Sequence, residues 1–152
     1  MQHLKFLLAT LRAAQMIHQT GHWRVSGRTY YGDHQLLERL YNSVTEEIDQ
    51  LAEKMVEKYG EDSVELVDQI TRMHTVVKGI ASISCNFKRA QAVEKMLQKL
   101  FKISYDKLKE ADELSLGMDD FLMASANNHE TNCYLLGQRL NCLLYTSPSP
   151  RD

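Results

Sequence analysis

Two histidines, His22 and His34, stand in the stretch GHWRVSGRTYYGDH, and the carboxylates Glu38, Asp49 and Glu53 follow them. Imidazole combined with carboxylate is the donor set of iron, zinc or manganese, rather than of calcium or a thiolate-seeking metal. On a helix that turns 100° per residue, His34, Glu38, Asp49 and Glu53 fall at about 0°, 40°, 60° and 100°, so they share one arc. A solvated helix face shows charges at the same spacing, and the arc alone leaves both readings open.

Length along the helix separates them further. At about 1.5 Å per residue, His34 lies roughly 22 Å from Asp49, so a straight helix cannot bring both ends of the stripe to one ion within a chain. Two copies of this helix packed antiparallel about a two-fold axis would set the His34 and Glu38 end of one against the Asp49 and Glu53 end of the other. His22 lies before a short connector and folds back beside His34, completing a half-site of His22, His34 and Glu38. The Glu-x-x-His spacing by which helical bundles build a di-iron site inside one chain is absent. A shared site is therefore expected.

The elements that must position these residues are helical. Leu4, Leu7, Leu8, Leu11, Ala14 and His18 recur at three- and four-residue spacing, which predicts an amphipathic helix to about Val25. The connector SGRTYYG holds two breakers, Gly27 and Gly32, with Asp33 or Thr29 as expected cap. A second helix follows, with Leu37, Leu40, Tyr41, Val44, Ile48, Leu51, Ala52 and Met55 on its core face and Gly60 as its stop. The short connector makes the two helices antiparallel neighbours. Asp62 or Ser63 is expected to cap a short helix, VELVDQITRMH, and TVVKGIASISCN reads as irregular linker. A third long helix is expected from about Phe87 to Ala111, and a fourth over MDDFLMASANNHETNCYLLGQRL, with Phe121, Leu122, Ala124, Tyr134, Leu135, Leu136 and Leu140 as its core. The fold class expected is all-α: a ferritin-like four-helix bundle with a short extra helix in the long crossover between the second and third long helices.

Composition limits the function classes. A chain of 152 residues is the size of one domain, and its net charge of -2, with a single lysine in MQHLK at the start, gives no strong nucleic-acid footprint. No apolar run reaches the 18 or so residues of a membrane span, and no signal peptide is recognisable, so a cytoplasmic protein is expected. Cys85, Cys133 and Cys142 have no metal-ligand or redox spacing; Cys85 and Cys133 read as small buried hydrophobes. His3, His74 and His129 have no constellation around them in the sequence, and His18 reads as an outer partner of His22 or as packing. The run CLLYTSPSPRD, residues 142–152, breaks the helical pattern and resembles the translation of a sequencing adaptor. The expected division is a ferritin-like domain over residues 1–141 and a non-native tail over 142–152, with the native C-terminus missing.

The motif HWRVSGRTYYGDH resembles the His-Trp-x-Val-x-Gly-x-x-aromatic-x-x-x-His signature of the mini-ferritins called Dps, DNA-binding proteins from starved cells, with Trp23, Val25, Gly27 and Tyr30 at matching places. EEIDQLAEK is similar to that family's Asp-x-Leu-Ala-Glu-Arg segment, with Lys54 where arginine is usual. The resemblance covers about residues 4 to 140. It implies a ferroxidase that oxidises Fe(II), with hydrogen peroxide or dioxygen as oxidant, and stores ferric mineral in a hollow homododecamer, protecting against oxidative stress. It implies a mono-iron or di-iron centre held by His22, His34 and Glu38 of one subunit, with glutamate where aspartate is common, and by Asp49 and Glu53 of the two-fold mate. It makes Trp23 a trap for stray oxidising equivalents, and Asp119 and Asp120 candidate linings of a pore admitting iron. The basic N-terminal arm that would support DNA binding is lacking. Two alternatives stay open: a cage that mainly compacts DNA, and a cage that binds zinc or manganese without redox work.

Overall fold

The computed structural model describes the backbone of residues 1–145 and the side chains of residues 1–142. Five α-helices and one 3-10 turn follow in order: α1 (Gln2–Arg24), α2 (Tyr30–Tyr59), the 3-10 turn (Glu61–Val64), α3 (Leu66–Gly79), α4 (Asn86–Glu110) and α5 (Leu116–Tyr145). The long helices α1, α2, α4 and α5 form the bundle, and α3 lies in the long crossover from α2 to α4, packed on α1. Both α2 and α4 pack along α1, and α5 packs along α4, whereas α2 and α5 stand further apart and meet through side chains, such as Asp33 with Arg139 and Glu47 with His129. No helix among the described residues is long and apolar enough to cross a membrane.

The apolar stripe of α1 enters the core as its spacing predicts. Leu4, Leu7, Leu8, Leu11, Ala14 and His18 are all fully buried, and the apolar ones among them meet Val44, Leu51 and Met55 of α2 and Val93, Leu97 and Phe101 of α4 in one cluster. Truncating one such leucine to alanine costs about 2–5 kcal/mol, because the lost transfer energy is joined by a cavity the backbone cannot close. Gly60 stops α2 at φ +81°, where its N–H still reaches the Val56 carbonyl.

Several boundaries differ from the sequence reading. The cap of α3 is Glu65, whose carboxylate accepts from the N–H groups of Val67 and Asp68 at 2.9 and 2.7 Å, rather than Asp62 or Ser63, which lie in the 3-10 turn. TVVKG is helical and not linker: packing of Val76 into the core outweighs the modest helix propensity of its β-branched neighbours. Gly32 is the third residue of α2 and has no positive φ, so Gly27 at φ +89° alone makes the reversal. Asp33 does not cap α2; it is buried in the first turn and accepts from Thr29 Oγ1 at 2.8 Å and from Arg139 of α5. On α5 the inward stripe is Met118, Phe121, Leu122, Ser125, His129, Asn132 and Leu136, while Ala124 and Tyr134 face outward. Ser115 caps this helix through its hydroxyl, which accepts from the Met118 N–H at 3.2 Å. Cys85 and Cys133 are half-buried, and burial pushes the Cys133 thiol up to about 11. Of the expected tail, Cys142–Tyr145 continues α5, and 146–152 lie outside the described residues.

Candidate metal centre

The end of α1 and the start of α2 approach closely because Gly21 has no side chain. A Cβ there would stand 3.3 Å from Leu37 Cδ1, tighter than ordinary contact. The next residue, His22, is thereby set against His34. The two imidazoles stack at 3.5 Å between centroids, and each ring nitrogen Nδ1 meets the other residue's backbone carbonyl, His22 Nδ1 at 2.9 Å and His34 Nδ1 at 3.2 Å. A carbonyl only accepts, so each Nδ1 carries a hydrogen, and in the neutral ring the lone pair sits on Nε2. A backbone carbonyl holding Nδ1–H is the usual support of a histidine that ligates metal through Nε2. Tyr30 stacks on His34 at 5.0 Å, and Tyr41, which the sequence reading placed only in the core, meets the edge of His22 at 5.3 Å.

Glu38, Asp49 and Glu53 all lie exposed on the continuous helix α2. The structure brings His22 and His34 together and leaves Asp49 and Glu53 far along the helix from them. Among the described residues, no three histidine, cysteine or acidic side chains converge on one point as metal ligands. Trp23 is 68% exposed, and Tyr30 and Tyr31 beside it are also exposed. Of these exposed aromatics Tyr30 stacks on His34, and Trp23 follows His22 in the chain, so none of them fills the core.

A second cluster lies in the middle of the bundle, and the sequence reading missed it. One ionisable residue from each long helix is buried there: His18 of α1, Glu47 of α2, Glu94 of α4 and His129 of α5. His18 donates from Nε2 to Glu94 Oε1 at 2.7 Å, and His129 donates from Nδ1 to Glu94 Oε2 at 2.6 Å and from Nε2 to Glu47 Oε2 at 2.9 Å. Asn128 and Asn132 donate to Glu47 and Glu94 at 3.2 and 3.4 Å. Burial opposes ionisation of Glu94, but hydrogen bonds from His129 and His18 outweigh it and hold its carboxyl down to about 2. Burial likewise opposes a charge on His129, yet the bonds to Glu47 and Glu94 push it up to about 9. His129 is thus an imidazolium between two carboxylates at neutral pH. The signal that could have found the cluster was register: Glu47 sits among Val44, Ile48 and Leu51, and Glu94 among Ala90, Val93 and Leu97, all core positions.

The solved structure of a Dps from Thermosynechococcus elongatus is similar to this chain, with a TM-score of 0.76 over 91% of this chain and 90% of that one, at 20% identity. The fold is a Dps-type, ferritin-like bundle. No family model matches the sequence, and no curated protein matches it. In this chain the short helix between the second and third long helices is α3, and the turn at Gly27 joins the first two.

Proposed function

We propose that the protein is a mini-ferritin of the Dps family, which oxidises Fe(II) at sites shared between two-fold-related subunits and stores the ferric product in a cage of its own copies. The observation that carries this reading is the His22–His34 pair, two imidazoles locked by carbonyls with Nε2 left for a metal, with the exposed ring of Tyr30 stacked on His34. Exposed aromatic surface at a polar site is what a protein interface covers. The half-site of His22, His34 and Glu38 needs further carboxylates. An antiparallel second copy of α2 supplies Asp49 and Glu53, which stand exposed and have no hydrogen-bond or ion-pair partner among the described residues.

Iron is the substrate here. Carboxylates favour Fe(III) over Fe(II) because they stabilise the added charge, and few ligands leave positions open to the oxidant. Two Fe(II) ions give up one electron each to one hydrogen peroxide, whose O–O bond breaks and which leaves with two protons as two waters. Trp23, next to a ligand and exposed on the chain, is placed to intercept an oxidising equivalent that escapes. Asp119 and Asp120 at the start of α5 remain candidates for a pore that admits iron. A cytoplasmic address suits the expected storage role.

The test is Fe(II) oxidation by peroxide in purified protein carrying His34→Ala and Asp49→Ala together. The rate is expected to fall at least about tenfold, the range in which metal sites respond to losing even a supporting group. An unchanged rate overturns the site. Retention of plasmid DNA without iron oxidation would instead support the DNA-compacting cage, and zinc or manganese in the protein as purified would support a non-redox role.

A further inference from the structure

Helix α5 carries apolar side chains on two opposite sides. Its inward stripe runs from Met118 to Leu136, yet Leu116, Met123 and Tyr134 are all exposed, Leu116 at 90%. At 100° per residue these three fall at about 0°, 340° and 0°, one line along the outside of the helix. A helix with apolar residues all round is one that is covered on both sides. Beside Met123 the surface is hollowed into a groove of about 320 Å³ between α4 and α5, lined chiefly by Phe101, Tyr105, Leu122, Met123 and Ala126. The groove lies on the opposite side of the bundle from the α1–α2 face that carries the His22–His34 pair.

The α4 edge of the groove is basic. Lys95, Lys99 and Lys102 are exposed at spacings of four and three, so they form one row next to Gln98, which lines the groove. Lys95 and Lys99 have no ion pair among the described residues, Lys102 pairs only with its helical neighbour Asp106, and the groove lining holds one carboxylate, Glu130. The start of α5 has the complementary character. Leu116 stands in the sequence between Asp112 and Asp120, both exposed and without an ion pair among the described residues. Leu116 lies roughly 10 Å along the helix axis from Met123 and faces solvent, so it does not fill the groove of its own chain.

We propose that this groove is a second self-contact, filled by the start of α5 of another copy, with that copy's Leu116 among the apolar side chains and its Asp112 and Asp120 facing the lysine row. The proposal rests on the reading of the protein as a cage of its own copies. A two-fold contact through α2 closes at two chains, so a cage needs a further contact elsewhere on the chain. The groove and the exposed leucine supply both halves of such a contact from one sequence. Burial of Leu116 and Met123 drives the association, and the matched charges fix which way round the copies meet.

The experiment measures the native mass of the full chain by sedimentation. The parent is expected as a closed particle much larger than a dimer. Leu116→Asp, which puts a charge into the groove, and Met123→Lys, which puts one on its wall, are each expected to stop at dimers; both residues are exposed, so neither change touches the core. Lys95→Glu together with Lys99→Glu is expected to stop there too, and adding Asp112→Lys and Asp120→Lys to that chain should restore the large particle. A parent no larger than a dimer, whose groove then serves some other partner, overturns the proposal. So do Leu116→Asp and Met123→Lys chains that keep the parent's mass, and a charge swap that restores nothing overturns the start of α5 as the occupant. Fe(II) oxidation is read on the same samples: its absence in the parent counts against the two-fold site, whereas particle mass alone decides the groove.

Discussion

His22 and His34 hold each other's rings in place: each gives its Nδ1–H to the other's backbone carbonyl, at 2.9 and 3.2 Å, and the stacked rings stand 3.5 Å apart. Two helix ends are thus fastened by the same groups that would bind metal. In protein stripped of metal, nitrogen-15 NMR should find both neutral rings as the Nδ1–H tautomer, and added Zn(II) should move the Nε2 resonances. An Nε2–H tautomer at either residue would contradict the arrangement.

The turn that brings the two histidines together depends on one glycine and not on its neighbour. Gly27 has φ +89°, which an L side chain occupies at a cost of about 1–2 kcal/mol. Gly27→Ala should lower the melting temperature by several degrees, given about 2–4 °C per kcal/mol in a chain of this size. Gly32→Ala should keep or raise it, because that residue is helical with open space around its Cβ, and alanine is favoured in a helix by about 1 kcal/mol. Equal effects in thermal melts would show that the turn has been assigned to the wrong glycine.

The buried cluster makes stability depend on pH at both ends. His129 binds its proton more tightly folded, up to about 9, than unfolded, near 6.5, so its contribution is complete below pH 6.5 and is lost as pH rises toward 9. Glu94 is held down to about 2 from 4.5, so its contribution is present above pH 4.5 and is lost on acidification below that. The groups facing His129 are Glu47, Glu94 and, through Glu94, His18. With metal removed, the melting temperature should peak between about pH 5 and 6.5 and decline toward pH 9. His129→Gln should abolish the alkaline decline. A decline of the same size in that variant would place its origin elsewhere.

The parts of this fold that could be read from the sequence are those where side-chain type and helical period agree. The α1 stripe from Leu4 to His18, the core face of α2 and its stop at Gly60 all follow the pattern of apolar spacing. Where the core is polar the pattern gives no signal: the inward stripe of α5 runs through Ser125, His129 and Asn132, so its register was hidden and His129 read as isolated. The four members of the buried cluster come from residues 18, 47, 94 and 129, with no local spacing to link them. They meet only because four helices cross at one level. Half of the candidate intersubunit site was legible for the opposite reason, since a short connector places His22 beside His34 by chain geometry alone.

The central proposal is that the iron site is divided between chains, and mixing two disabled subunits tests it most directly. His34→Ala removes one half-site and Asp49→Ala the other, so each protein alone should oxidise Fe(II) slowly. Co-refolded in equal amounts, half of the dimers are mixed, and each mixed dimer rebuilds one of its two sites, returning about a quarter of wild-type activity. A site contained within one chain would leave the mixture as inactive as its parts, and that result would contradict the account.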